Sequence, residues 1–310
     1  MRKALIGMVV VACVALVGLV AAAQTQTGPM SLDTALQYFQ DDSIMIPYSD
    51  QGKVELQGMI DAFHTALGIP ATLDETNEDQ VEAFSIDASQ KDIVNKLSQA
   101  YYTLANVFTP EADQEQVYLK GKNWGFKSLR MDPNFDDLRG GRFDTSVAQE
   151  TDVAALYWTN SNWLRVAQKH PMQAVLAGVP KKTQLISERL LELAPNYLVG
   201  GPYRSLAAYY SGLPIGRDLN KTLAYMCHVI DEPGYCAECG VAQLVPEASS
   251  YFENRTFFVE FYLMPKKQWE DAERILESVI SAPIGDTYPL MNTYSQERAK
   301  DLLTEVQSHL

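Results

Sequence analysis

Basic side chains are scarce in this sequence. Its 25 lysines and arginines stand against 39 aspartates and glutamates, which gives a net charge of −14. Nucleic acid binding requires a concentrated lysine and arginine surface that displaces counterions, so we expect no nucleic acid partner. The same charge balance disfavours an anionic membrane surface.

Histidines and catalytic motifs are also few. The four histidines are scattered along the chain and form neither an HExxH pair nor an evident serine triad. The GxSxG nucleophile elbow and the phosphate-binding loop are missing. We therefore predict a protein that is not an enzyme and has no cofactor. The histidines are His64, His170, His228 and His309.

Long apolar runs are limited to the N-terminus. Two basic residues precede an apolar stretch over residues 4–20, which is followed by three alanines and a polar segment. This pattern predicts a secretory signal peptide over residues 1–23, cleaved after Ala23. An uncleaved membrane anchor and a lipoprotein signal ending at Cys13 are the alternatives. No second apolar run reaches the ~18 residues that span a bilayer, so we expect the chain after the signal peptide to be soluble. Because the signal peptide directs export, we expect the protein to work outside the cytoplasm.

Helical periodicity dominates residues 24–310, which we predict to form one all-α domain. Ile93, Leu97 and Tyr101 illustrate the spacing of three or four, and Pro110 closes that helix. Alternation with period two is not sustained, and successive helices are expected to pair as hairpins. Helices are predicted over residues 56–67, 86–108, 117–129, 153–170, 182–193, 203–213, 219–230, 251–263, 269–280 and 295–308.

Local signals refine this picture. The helix ends at residues 191–195 and 279–283 both finish in Ala-Pro and fit the closing helix of a tetratricopeptide-type hairpin. Thr151 is expected to cap the helix that begins at Val153. The acidic segment 74–79 is expected to be a solvated loop.

Three cysteines cluster late in the chain. In an oxidising exported compartment, we expect a disulfide that joins Cys227 to either Cys236 or Cys239 and leaves one thiol unpaired. A metal site that uses His228 as well is the alternative, but the spacing matches no common zinc pattern, so no metal is predicted. An enzyme that uses this cysteine loop is a further alternative, to be tested by metal analysis and thiol counting.

Three ordered blocks of sequence resemble one family. The blocks are VYLKGKNWGFKSL at 117–129, ALYW at 155–158 with Trp163 following, and GPYRSLAAYYSGLP at 201–214. They are similar to segments of the T-component family of tripartite ATP-independent periplasmic (TRAP) transporters. Two features differ from the family. This sequence has no convincing lipid-anchor pattern, and its cluster of three cysteines is not part of the family's core motif.

The resemblance implies a function as well as a fold. It implies a periplasmic, tetratricopeptide-like protein that forms a homotrimer, encloses a pore-like cavity in each subunit and docks the transporter's substrate-binding protein. A cavity lined by tyrosine and tryptophan would suit a small amphipathic or apolar ligand. The alternative is a generic exported tetratricopeptide-like scaffold that assembles envelope proteins by gripping peptides in its concave face.

Aromatic residues within or near these blocks are the candidates for lining the cavity, with core packing as the alternative role. Arg204 is expected to hold a carboxylate of a ligand or partner, or else to be a solvated surface arginine. Because Tyr157 and Trp158 are adjacent, only one of them is expected to face a cavity. The candidates are Trp124, Tyr157, Trp158, Tyr203, Arg204, Tyr209 and Tyr210.

Overall fold

The computed structural model is almost entirely helical and confirms the prediction of an all-α, helical-hairpin protein. The predicted signal peptide lies outside the described residues, so its cleavage stays a prediction. No helix in the described part of the chain is long and apolar enough to cross a bilayer. The structure describes residues 29–40, 42–137, 142–237, 239–241 and 244–310.

Fifteen α-helices are found in these residues. The first eight are α1 (Leu32–Gln37), α2 (Asp50–Leu67), α3 (Glu78–Ala83), α4 (Lys91–Thr103), α5 (Gln114–Arg130), α6 (Phe143–Gln149), α7 (Val153–Lys169) and α8 (Pro171–Leu176). The others are α9 (Val179–Leu193), α10 (Gly201–Gly212), α11 (Leu219–Met226), α12 (Pro233–Cys236), α13 (Phe252–Phe258), α14 (Trp269–Ser281) and α15 (Pro289–Gln307).

Short non-α elements complete the fold. Helix α4 continues as a π-helix over Leu104–Phe108, and α13 continues likewise over Val259–Leu263. Two short strands, β1 (Phe39–Gln40) and β2 (Ser43–Ile44), pair antiparallel after α1, which the sequence pattern did not predict. Three 3-10 turns lie at Ala88–Gln90, Glu111–Asp113 and Ala248–Ser250.

Capping groups set several helix boundaries. Ser49 accepts a hydrogen bond from the Gly52 N–H and starts α2 earlier than the apolar pattern predicted, while Gly68 ends it in a left-handed conformation. The predicted cap of α7 was wrong: Asp152, not Thr151, accepts from the Ala155 N–H at 2.9 Å. A carboxylate at this position is a strong acceptor for the exposed N–H groups of the first turn.

Neighbouring helices pack pairwise along the chain: α4 with α5, α5 with α7, α7 with α9, α9 with α10, and α10 with α11. Glycines permit the closest of these approaches. A Cβ atom on Gly121 would lie 2.3 Å from Asn162 Oδ1, and one on Gly125 would lie 2.5 Å from Thr159 Oγ1. Helices α5 and α7 can therefore pack this closely only because α5 carries no side chain at these two positions.

Buried apolar residues form three clusters. The first lies among α1, α2 and α4, the second among α5, α6, α7 and α9, and the third among α10, α11, α13, α14 and α15. Between these clusters the helices leave internal cavities, and this arrangement positions the candidate site.

Candidate functional site

Three cavities lie between the helices and share lining residues. One, the apolar cavity, has a volume of about 870 Å³ including space open to solvent, and it is walled mainly by α7, α8, α9, α10 and the π-helix after α13. The second, the polar cavity, encloses about 1380 Å³ between α5, α7, α13 and α15. A third encloses about 480 Å³. Glu253 lines all three, and Arg165 lines the first two.

The apolar cavity is lined mostly by small, aliphatic and aromatic residues. Helix α8, which the sequence pattern did not predict, contributes one wall with Ala174 and Val175. The opposite walls come from α10 with Ala208 and from the π-helix after α13 with Phe261. Pro171 lies in the first turn of α8, a position that favours proline and starts a new helix here. Gly178, with a φ of 69°, lies between α8 and the start of α9.

Exposed apolar side chains border this cavity. Met172 and Leu176 lie on the outer face of α8, whose inner face lines the cavity, and Leu176 is 85% exposed. Ile215 is 75% exposed and directly follows Leu213 and Pro214, which also line the cavity. We call Met172, Leu176 and Ile215 the apolar rim.

Arg204 is buried beside the cavity and is held by groups of its own chain. Its Nε lies 3.2 Å from a carboxylate oxygen of Glu253, and its Nη1 donates to Asn254 Oδ1 at 2.6 Å. The guanidinium also donates to the carbonyls of Leu198 and Val199, both at 2.9 Å. The structure thus places Arg204 in an internal ion pair rather than on a solvated surface.

The backbone around residue 199 is shaped to reach this arginine. Leu198, Val199 and Gly200 all have positive φ, at 45°, 53° and 82°. Such angles are unfavourable for side chains with a Cβ, so the surroundings must hold them in place. The hydrogen bonds from Arg204 to the two carbonyls supply part of that restraint.

Arg165 on α7, which is partly buried, is the second arginine of the site. Its Nη2 donates to Asn106 Oδ1 at 3.2 Å, and its Nη1 lies 3.4 Å from Gln168 Oε1. Among the described residues, no carboxylate lies within ion-pair distance of it. Arg165 therefore brings a positive charge to the boundary between the apolar and the polar cavity.

Four of the seven candidates from the sequence line cavities. Tyr157 lines the apolar and the third cavity, Tyr209 and Arg204 line the apolar one, and Trp158 lines the third. The expectation that only one of Tyr157 and Trp158 could face a cavity was wrong. Both side chains line the third cavity, and their rings meet edge to face at 4.9 Å.

The other three candidates lie elsewhere. Tyr203 stacks on His228 at 4.2 Å, and Tyr210 stacks on Tyr225 at 5.8 Å. Neither ring lines one of the three cavities described. Trp124 also lies outside them, fully buried against Glu75.

Glu75 organises a polar cluster around Trp124. Its carboxylate accepts from Trp124 Nε1 at 2.6 Å and from Tyr101 Oη at 2.7 Å, with His64 Nε2 at 3.2 Å. Burial alone would raise the pKa of Glu75, but the hydrogen bond and charge of His64 and the hydrogen bonds from Trp124 and Tyr101 lower it from 4.5 to about 2. The prediction of a solvated loop over residues 74–79 was therefore wrong for Glu75, and Glu78 and Asp79 begin α3.

The cysteines form a compact group away from the cavities. A disulfide joins Cys227 to Cys236, and Cys239 Sγ lies 2.9 Å from Cys227 Sγ. The three sulfurs all lie within 4.8 Å of one another. In this state Cys227 and Cys236 are oxidised and offer no thiolate to a metal ion.

Sequence reasoning missed Arg165, Glu253 and Asn106. One signal could have found the first: positions 157, 161, 165 and 168 share one face of α7, and Arg165 is the single charged member of that face. Glu253 and Asn106 carry no comparable signal, because their importance comes from partners far away in sequence.

The fold and the site together define a class of protein. This is a helical-hairpin protein with a cavity that combines apolar walls with charged side chains. Residues 81–221, from α3 to α11, match the family model described as TRAP transporter T-component. This match confirms the predicted resemblance to that family. No curated protein matches the chain significantly.

The match to this family supports a general role as a transporter accessory component. The T-component is an accessory component of a transporter, not a family known for catalysis. The matched segment includes α7, α8, α9 and α10, which supply most of the apolar cavity's lining.

Proposed function

We propose that the protein is a non-enzymatic periplasmic T-component that binds a small amphipathic or apolar ligand and docks the substrate-binding protein of a TRAP transporter. The observation that carries this proposal is the apolar cavity with its exposed apolar rim. Export to the periplasm, removal of residues 1–23 and assembly as a homotrimer are parts of the same proposal, and they rest on the sequence pattern and the family resemblance.

The cavity supports the ligand part of the proposal. Small-molecule sites are typically concave, about 300–1,000 Å³ in volume, and apolar apart from a few well-placed polar groups. The apolar cavity has this composition, with Tyr209, Glu253 and the two arginines among its polar groups. A ligand inside it would lose its hydration shell and gain apolar contacts on several sides.

The apolar rim supports the docking part. Exposed apolar side chains beside a cavity are costly in water, and a partner that covers them gains the hydrophobic free energy of burial. The partner to which we assign this surface is the substrate-binding protein, because a ligand could then pass between two binding sites without entering bulk water.

The first experiment is affinity purification of the tagged protein from its native envelope fraction, with co-purifying proteins identified by mass spectrometry. The native mass is measured in parallel by light scattering. We expect to recover a periplasmic substrate-binding protein and a trimeric mass. A monomer that recovers only envelope assembly factors would instead support the peptide-gripping scaffold.

Rim variants sharpen this test. Leu176→Asp and Ile215→Asp should abolish recovery of the substrate-binding protein, since a charge in a docked apolar contact is desolvated without a partner. The matched control is Val54→Asp on α2, which is 65% exposed and does not line the cavities described. Equal recovery with all three variants would place the docking surface elsewhere.

A further inference from the structure

The apolar cavity has an unbalanced charge. Its lining contains two arginines and one glutamate, Arg165, Arg204 and Glu253. Arg204 and Glu253 form an ion pair at 3.2 Å and so neutralise each other. Among the described residues, Arg165 is left as the cation of this lining without a carboxylate partner, within a chain whose net charge is −14.

The acidic groups that share the polar cavity with Arg165 are mostly engaged with other cations. Glu260 pairs with Arg298 at 3.3 Å, and Glu111 pairs with Lys169 at 3.2 Å. Within the described chain the hydrogen bonds of Arg165 go to neutral amide oxygens, those of Asn106 and Gln168. A guanidinium has five N–H donors and no acceptor, so it retains capacity for an anion.

Asn106 adds a second donor at the same place. Its Oδ1 accepts from Arg165 Nη2 at 3.2 Å and from Tyr118 Oη at 3.3 Å. Because Arg165 can only donate, this contact fixes which end of the amide is the oxygen. The Nδ2 group is consequently directed away from these donors, and it is a buried donor that has no hydrogen-bond partner in the described residues.

A buried donor without a partner, such as the Asn106 Nδ2 group, is unfavourable without a ligand, and the partly buried guanidinium of Arg165 retains N–H groups that can donate to an anion. Asn106 lines the polar and the third cavity, whereas Arg165 lines the polar and the apolar one. Arg165 and Asn106 therefore mark the boundary between the cavities. A ligand bound there would have its polar head group in the polar cavity and its apolar tail in the apolar cavity.

We propose that the cavity binds a monocarboxylate with an apolar tail, whose carboxylate accepts hydrogen bonds from Arg165 and Asn106 and whose tail lies among the apolar residues of α8 and α10. This inference rests on the proposed ligand-binding function and goes beyond it by naming the ligand class and the anchoring residues. Arg204, the candidate from the sequence, is not the anchor because Glu253 already neutralises it. A single charge is favoured because Arg165 is the one arginine of this lining that no carboxylate of the described residues pairs.

The test compares the affinities of the purified protein for three ligands that have the same alkyl tail but different head groups. Decanoate, decanol and decyltrimethylammonium are titrated at neutral pH by isothermal calorimetry below their aggregation concentrations. A charge-assisted hydrogen bond corresponds to about a 10- to 100-fold change in affinity, so decanoate should bind at least about tenfold more tightly than decanol. The cation should bind most weakly.

Two variants assign the effect to residues. Arg165→Gln removes the charge, and Asn106→Asp leaves it in place but supplies an internal carboxylate of nearly the same shape. Both should remove the preference for decanoate over decanol, which is read as the ratio of the two affinities within each variant. Arg274→Gln is the control, since it makes the same change of net charge at an exposed position on α14.

The outcomes separate this inference from the proposed function. Equal binding of decanoate and decanol, unchanged in both variants, would overturn the carboxylate site but support an apolar ligand cavity. Tighter binding of the cationic ligand would overturn the sign of the site. The same head groups are also tested on six- and sixteen-carbon tails. If none of these ligands binds, both the carboxylate site and the ligand part of the proposed function are overturned.

Discussion

Replacing Glu75 by glutamine tests whether the buried polar cluster around Trp124 stabilises the N-terminal helices. The carboxylate lies between α2, α4 and α5 and is only 6% exposed. Lowering its pKa from 4.5 to about 2 corresponds to about 3 kcal/mol of stability at neutral pH. We therefore expect Glu75→Gln to lower the free energy of unfolding at pH 7 by about 3 kcal/mol.

The sign of the pH dependence follows from the direction of the pKa change. The folded state holds Glu75 ionised more strongly than the unfolded state, so this stabilisation is fully present above about pH 5.5. It is lost as the pH falls from about 4.5 towards 2, because the unfolded chain takes up the proton first. The difference between the wild type and Glu75→Gln should shrink over the same range.

Urea unfolding at several pH values, followed by circular dichroism, measures this difference. The control is Asp79→Asn, an exposed acid in the first turn of α3, for which we expect a loss of no more than about 1 kcal/mol. Other carboxylates titrate in both proteins and cancel in the comparison. A loss below about 1 kcal/mol for Glu75→Gln, or a difference that does not change with pH, would refute the reasoning.

Three further predictions concern other parts of the fold. Arg204→Met should cost about 3–5 kcal/mol of unfolding free energy because it leaves a buried carboxylate unpaired, and adding Glu253→Gln should recover much of that loss; similar losses in the single and double variants would contradict the ion-pair argument. Gly125→Ala should cost about 1–3 kcal/mol by thermal unfolding because α5 cannot stay as close to α7, whereas Gly212→Ala, with no atom nearby, should be neutral. Removing the disulfide with two serines should cost about 2.5 kcal/mol, since it closes a loop with a sequence separation of 9, and an unchanged midpoint in urea would show that the bond contributes nothing.

The helices were largely predictable because their signals are local. The spacing of apolar residues located α4, α5, α9 and α14, and glycine and proline marked many ends, as Gly68 does for α2. Short elements were missed. Helix α8 and the two strands contain too few residues to establish a period, and contacts with the rest of the molecule hold them in place.

The candidate site was only partly predictable. Aromatic residues in the matched blocks were chosen by type, but a tyrosine on a helix can face a cavity, as Tyr157 does, or stack against its own fold, as Tyr203 does on His228. Arg204 was chosen for its charge, yet its role depends on Glu253 and Asn254, and the latter is 50 positions away.

The sequence alone determined the all-α class, the positions of most helices, the acidic character and the family of residues 81–221, because each of these depends on composition or on residues close together in the chain. Only the tertiary structure decided which charges are neutralised. It pairs Arg204 with a glutamate of α13 and leaves Arg165 beside the neutral Asn106 of the π-helix that follows α4. Electrostatic energy depends on distances in space, and helix packing sets those distances between residues that no local pattern connects.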